Sequence, residues 1–295
     1  MLQLLERLDL EDAVSPQRAL PSLILLNGRL DALAAGEAAA LLGIRSSGVE
    51  SAGLATMARG MDTLPQGLAT ALGGHAGLHL RSQARRLTRG TARWIVDLDH
   101  GPLEADAVIL AVPPVAAAAL LESLAPDAAT VIGGLPARSS LTVSLAYPRD
   151  AVAHPLDATG FVVPPGTPAP GGLAACTFAS AKFADRSPPR GALLRVFFRP
   201  DPADLDEGTD DEWGARAHAV LASILGLGMR PIRTWVSRWP RALPDHGPEY
   251  AAAVSRCEDL LHVLPGLVLA GSAFHGPGVE GAVRSGAIVA ERLRS

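Results

Sequence analysis

The run 265–293, PGLVLAGSAFHGPGVEGAVRSGAIVAERL, constrains this chain most. A short apolar stretch feeds into Gly271, Gly276, Gly278 and Gly281, and a helical pattern follows. A strand that turns so quickly into a helix needs backbone conformations closed to most side chains, and glycine supplies them. Residues 276–281 match G-x-G-x-x-G literally. The dinucleotide fingerprint, however, also needs a second strand and an acid about 20 residues further on. Only 14 residues follow Gly281, so the literal Rossmann reading is rejected. The physical content survives: backbone that a flat ligand can approach, and a helix N-terminus with free N–H groups and partial positive charge. A tight strand–helix turn without a ligand is the competing reading.

Other segments surround this turn with two textures. Residues 2–8 read as a short amphipathic helix. Residues 23–33 read as a hairpin about Asn27–Gly28, the strongest short turn signal. Residues 34–42 are helical by Ala and Leu content, and 46–53 are polar without a period. A helix within 58–74 is expected to end at Gly73–Gly74. Strands are expected at 78–87, 94–98 and 105–111. The last is a continuous apolar run of the kind buried on both faces of a parallel sheet, and Pro113–Pro114 stops it and opens a helix over 115–121. From 139 to 200 the chain becomes strand-rich with Pro/Gly turns. The acidic stretch 201–212 leads into a helix over 212–225, and another strand is expected at 231–239. A strand over 266–270 and a helix over 279–293 close the chain. The fold class is α/β, or mixed α+β: a Rossmann-like nucleotide-binding domain interrupted by a mixed-sheet substrate domain. The expected boundaries are an N-terminal remnant over 1–57, the nucleotide-binding part over 58–134 and 256–295, and the mixed sheet over 135–255.

Composition excludes several classes. Hydrophobic residues at 48% and charged residues at 19% describe a folded chain. A net charge of −4 offers nucleic acid no basic field. Cys176 and Cys257 form no CxxC or Cys/His zinc pattern. With an opening segment unlike a secretory leader, this points to the cytoplasm. The longest apolar run, 107–121, is split by Pro113–Pro114 and is too short to span a bilayer; contact with a membrane surface stays open. His75 and His79 stand four apart, but glycines at 73, 74 and 77 argue against a shared helix face, so no metal site is assigned. The acidic stretch lacks the alternation of a calcium loop. There is no GxSxG elbow and no P-loop lysine.

Eight blocks in order carry a family resemblance: RGMDTLPQGLATAL (59–72), ADAVILAVPP (105–114), SSLTVSLAYPRD (139–150), TGFVVPP (159–165), CTFASAKFADRSP (176–188), LLRVFFR (193–199), SRWPRALPDH (237–246) and LPGLVLAGSAFHGPGVEGAVRSGAIVA (264–290). Together they resemble the protoporphyrinogen/coproporphyrinogen oxidase family of FAD enzymes, related to the amine oxidases. The resemblance implies FAD as cofactor, a porphyrinogen substrate and O2 as acceptor in heme biosynthesis. It places Gly271, Ser272, Gly278 and Val279 at the flavin end of FAD. It also places Trp239 near the isoalloxazine, and Ala84 and Ala111 near the adenosine half. Packing in a core strand is the competing role for Trp239. No catalytic acid or base is assigned. Arg149, Arg195 and Arg238 are candidates for substrate carboxylates, with a solvated surface role as the alternative for each. His275, inside the glycine turn, is read as a loop residue, with an approach to the flavin as the alternative. The family's opening strand–GxGxxG–helix is not found before Gly53, and much of its helical substrate region is missing between 45 and 58. The chain therefore reads as a fragment, a shortened product or a degenerate homologue, completed by a missing segment or a partner chain if active. The alternatives are an inactive chain and another flavin amine oxidase or desaturase.

Overall fold

The computed structural model describes residues 1–41, 54–73, 77–199, 205 and 208–294. The chain forms two units: Leu2–Gly73 with Ser139–Pro240, and Gly74–Arg138 with Arg241–Ser295 and Met1.

In the first unit the hairpin forms as the sequence predicts. Asn27 and Gly28 take φ of 50° and 77° and join strands Ser22–Leu26 and Arg29–Leu33, with Leu26 opposite Arg29. These strands edge a seven-stranded sheet. Its order continues through Gly160–Val162, Leu173–Phe178, Gly191–Phe198 and Ala137–Pro148 to the other edge at Arg233–Pro244. Side chains alternate across a strand. Leu141, Val143, Leu145 and Tyr147 therefore point one way with Ala192, Leu194, Val196 and Phe198, and all eight are buried. This face shares one core with Trp213, Ala217, Val220, Leu221 and Leu225 of helix Asp210–Leu225. Thr209 and Glu212 cap that helix reciprocally, and Gly226 ends it at φ 64°. The opposite face carries Thr142, Ser144, Ala146, Leu193, Arg195 and Phe197, none of them buried.

The second unit holds an antiparallel meander, Ala84–Arg89, Trp94–Leu98 and Gly101–Ala105, and a parallel pair, Val108–Leu110 with Leu267–Leu269. Helices Pro114–Leu121, Pro126–Gly133, Pro248–Leu261 and Gly278–Arg292 accompany them. Trp94 has no solvent exposure, and its indole N–H donates to the Pro265 carbonyl at 3.2 Å.

The structure corrects three expectations. The first meander strand begins at Ala84, and Leu78 and Leu80 are largely exposed. Gly101, at φ 126°, turns the chain back after Leu98 and gives 101–105 a strand of its own. The run 105–111 therefore shrinks to Val108–Leu110, and Ile109 is 46% exposed rather than buried on both faces. The helix over Thr63–Leu72 ends at Gly73 as the sequence predicts, with φ −51°. Gly74, His75, the polar stretch 46–53 and most of the acidic stretch 201–207 lie outside the described residues. Among the described residues, no helix is long and apolar enough to cross a membrane.

Gly160 is the tightest point of the sheet. It takes φ 140°, and a Cβ there would lie 2.1 Å from the Cys176 carbonyl oxygen. Gly160→Ala is expected to cost about 3 kcal/mol or more, because backbone strain and collision combine. At Gly28 (φ 77°) an added methyl meets nothing within 4 Å, so Gly28→Ala should cost about 1 kcal/mol. Urea unfolding of both variants checks this ranking, and equal midpoints would refute it.

Candidate functional site

The parallel pair ends where the glycine turn begins. The Ala270 N–H donates to the Leu110 carbonyl at 3.0 Å, so Ala270–Gly271 and Ala111 lie at the same, C-terminal, end of the two strands. That end is where open α/β sheets bind ligands. Gly271 takes φ 110°, a short helix Ser272–His275 follows, and Gly276 takes φ 114°. Pro277 precedes the 15-residue helix Gly278–Arg292 and provides no side-chain cap. The N–H groups of its first turn therefore depend on water or a ligand.

The glycines divide by role. A Cβ on Gly281 would lie 2.0 Å from the Gly276 carbonyl oxygen, so Gly281 is required by packing of the helix against its own turn. Gly271 and Gly278 have positive φ, and a Cβ on either would meet no atom within 4 Å. Their backbone faces open space, which suits the close approach of a flat group. Val279 is 44% exposed and Ser272 is half-buried. Glu280 stands exposed in the first helical turn, and its carboxylate already meets part of the helix dipole. Ala84 is half-buried and Ala111 exposed. This unit thus holds Gly271, Ser272, Gly278, Val279, Ala84 and Ala111. Trp239 belongs to the sheet unit, on edge strand Arg233–Pro244. It is 50% exposed rather than core packing, with its indole N–H toward Thr142 Oγ1 at 3.4 Å.

Beneath the turn lies a polar chain that the sequence reading missed. The Gly271 N–H donates to Ser285 Oγ at 2.8 Å, and Ser285 Oγ lies 2.7 Å from His275 Nδ1. His275 Nε2 lies 3.2 Å from Glu258 Oε1, which also accepts from Arg292 at 2.9 Å. The arginine makes Glu258 an acceptor, so His275 donates from Nε2 and accepts at Nδ1, and Ser285 donates its hydroxyl proton to that nitrogen. The order resembles a hydrolytic triad, but Ser285 has no exposure and cannot attack a substrate. Its work is to fix the Gly271 peptide. His275, whose side chain is 12% exposed, is therefore no plain loop residue. The spacing of 258, 275 and 285 falls across two helices and the turn, and no local motif announces it.

Two of the three candidate arginines are committed elsewhere. Arg149 donates to the carbonyls of Val152, His154 and Pro155 at 2.8, 3.0 and 2.7 Å. Arg238 donates to the carbonyls of Leu205 and Gly208 at 3.0 and 2.8 Å and pairs with Asp210. Both hold loops in place, which neither a substrate role nor a solvated surface role describes. Cys176 and Cys257 are buried free thiols. Burial pushes Cys257 up to about 11, with Glu258 adding to the shift, and raises Cys176 well above the usual thiol range. Both are held as neutral thiols rather than nucleophiles.

The profile of the flavin containing amine oxidoreductase family matches residues 3–294. The chain belongs to this family. It is 33% identical over 184 residues to coproporphyrinogen III oxidase of Propionibacterium freudenreichii, covering 61% of this chain and 34% of that protein. It is 34% identical over 206 residues to coproporphyrinogen III oxidase of Mycobacterium tuberculosis, covering 69% and 43%. Against human protoporphyrinogen oxidase the figures are 28% over 247 residues, covering 77% and 49%. The chain thus spans between a third and a half of the length of these relatives. In fold it is similar to a crystal structure of a proposed protoporphyrinogen oxidase from Exiguobacterium sp. 255-15, with a TM-score of 0.82 at 20% identity, covering 99% of this chain and 84% of that one. Family membership implies a flavin. The open backbone at Gly271 and Gly278 and the uncapped helix fit such a planar, partly anionic group.

Ser285→Ala would leave the Gly271 N–H and His275 Nδ1 unpartnered. The expected cost is about 1–3 kcal/mol, with faster amide hydrogen exchange at Gly271. Wild-type exchange at that amide in the variant would show that Ser285 does not hold the turn.

Proposed function

We propose that this chain serves the FAD-dependent oxidation of a porphyrinogen to a porphyrin, with O2 as final acceptor, as a step of heme biosynthesis. The observation that carries the reading is the turn itself: glycine backbone open to a flat ligand, at the C-terminal ends of two parallel strands, before an uncapped helix. Similarity to coproporphyrinogen and protoporphyrinogen oxidases supplies the substrate class.

In this reading Gly271 and Gly278 let the flavin ring system lie against the backbone. The N–H groups of the first helical turn, Val279 among them, and the Ser272 hydroxyl would be the donors available to hold it. The helix dipole favours the reduced, more negative form. Ala84 and Ala111, small residues of the same unit, leave room for the adenosine half. The bound flavin supplies the redox chemistry, and the chain's own groups bind and orient. A pyrrole N–H can release its own proton, which removes the need for a protein base.

A second reading leaves the turn in place and assigns the pyrophosphate contact to another polypeptide. It is favoured by one observation: no strand–GxGxxG–helix run is found before Gly53, and the 276–281 match has no second strand after it. One experiment separates the two. The purified protein is mixed with FAD, desalted, and its flavin absorbance measured. Stoichiometric retention supports the first reading. Gly278→Asp, which adds a strained side chain and a negative charge at the helix start, should then weaken retention by about tenfold or more, roughly 1.4 kcal/mol. No retention by the folded chain, with retention restored by a polypeptide carrying the missing motif, selects the second. No retention under either condition sinks both.

A further inference from the structure

Arg195 sits in the middle of strand Gly191–Phe198, on the sheet face that helix Asp210–Leu225 does not cover. Its register partners are Ser144 on one side and Thr177 on the other. Directly opposed residues point to the same face, so the guanidinium is flanked by two hydroxyl-bearing residues. Its Nε lies 3.3 Å from Ser144 Oγ. No carboxylate among the described residues pairs with it, in contrast to Arg238, which has Asp210. The surrounding face mixes these hydroxyls with apolar surface, with Leu193, Phe197 and Ala146 beside Arg195 and Trp239 against Thr142.

A second guanidinium acts on the same place. Arg186 is tied by one nitrogen to Thr56 Oγ1 and to the Met57 carbonyl, and it too has no carboxylate partner among the described residues. Burial holds the pKa of Arg195 below its usual value, and Arg186 lowers it further. The side chain nevertheless reaches solvent. It is recessed enough to lose hydration and open enough to meet a ligand. Like charges without a counter-ion repel each other, and an anion bound at Arg195 offsets that cost.

We infer that Arg195 is a binding site for a carboxylate of a flat ligand with apolar surface lying on this sheet face. The guanidinium offers its two terminal nitrogens as a fork that matches a carboxylate. The hydroxyls of Ser144 and Thr177 flank the fork, and Leu193, Phe197 and Trp239 provide the apolar floor. Anion binding stands on the geometry alone. Assigning the anion to a propionate of a tetrapyrrole rests on the porphyrinogen reading.

The test uses coproporphyrin III, which carries four carboxylates, and its uncharged tetramethyl ester in mild detergent. Binding to the full chain is read by quenching of tryptophan fluorescence, to which Trp239 on this face contributes. Arg195→Met is expected to weaken coproporphyrin binding by about tenfold or more and to leave ester binding unchanged. Arg195→Lys, which keeps the charge but not the fork, should fall between. Flavin retention, measured in parallel, should match wild type in both variants. Equal coproporphyrin affinity in wild type and in Arg195→Met of native circular dichroism overturns the site, as does failure of wild type to bind coproporphyrin at all. If no flavin is retained, with or without a polypeptide carrying the missing motif, while coproporphyrin binding still depends on Arg195, the oxidase reading falls and the anion site stands.

Discussion

The turn that begins at Gly271 depends on one buried hydroxyl. Ser285 Oγ accepts the Gly271 N–H and reaches His275 Nδ1, so one atom joins the end of a strand, the end of a short helix and the middle of the C-terminal helix. Gly271 at φ 110° and ψ 172° has no regular hydrogen-bond pattern to keep it in place. Its conformation persists only where neighbours over-determine it. Glu258 and Arg292 complete the arrangement by fixing which histidine nitrogen accepts. Residues behind a binding surface play the same part in other sites: they orient what touches the ligand without touching it themselves.

How much of this was legible depended on whether a signal was local. Asn27–Gly28 gave the hairpin and Pro114 gave a helix start, because each sets its own φ. The same proline rule would have found helices Pro126–Gly133 and Pro248–Leu261, which the reading passed over. In the second of these, Tyr250, Val254, Cys257 and Leu261 are buried at helical spacing, a pattern visible in the letters. Meander strand Gly101–Ala105 was hidden for a different reason. Its burial is slight, and what makes it a strand is pairing with Trp94–Leu98.

The site shows the same division. The sequence marked four glycines as a group, and only the packing separates them. Gly281 is needed by a carbonyl of its own turn, whereas Gly271 and Gly278 face open space. The three arginines looked alike in sequence. Arg149 and Arg238 turn out to bind loop carbonyls, which are acceptors that composition cannot reveal. Arg195 differs because a two-residue period put it on the uncovered face, and that alternation was readable once the strand was known.

The two units supply different kinds of chemistry. Around the glycine turn the chain offers backbone: open glycines, free helical N–H groups and a dipole, with side chains such as Ser285 and His275 turned inward to hold it. Such a surface recognises a planar anionic group by shape and field and leaves the redox step to that group. On the sheet the recognition is by side chains, a recessed guanidinium on an apolar floor. A cation in that position without a carboxylate partner costs stability in the empty protein, since desolvation and Arg186 both oppose its charge. A fold that wanted only packing there would place an apolar residue, as it does at Leu193 and Phe197 on either side. A ligand that brings the opposite charge would offset that cost.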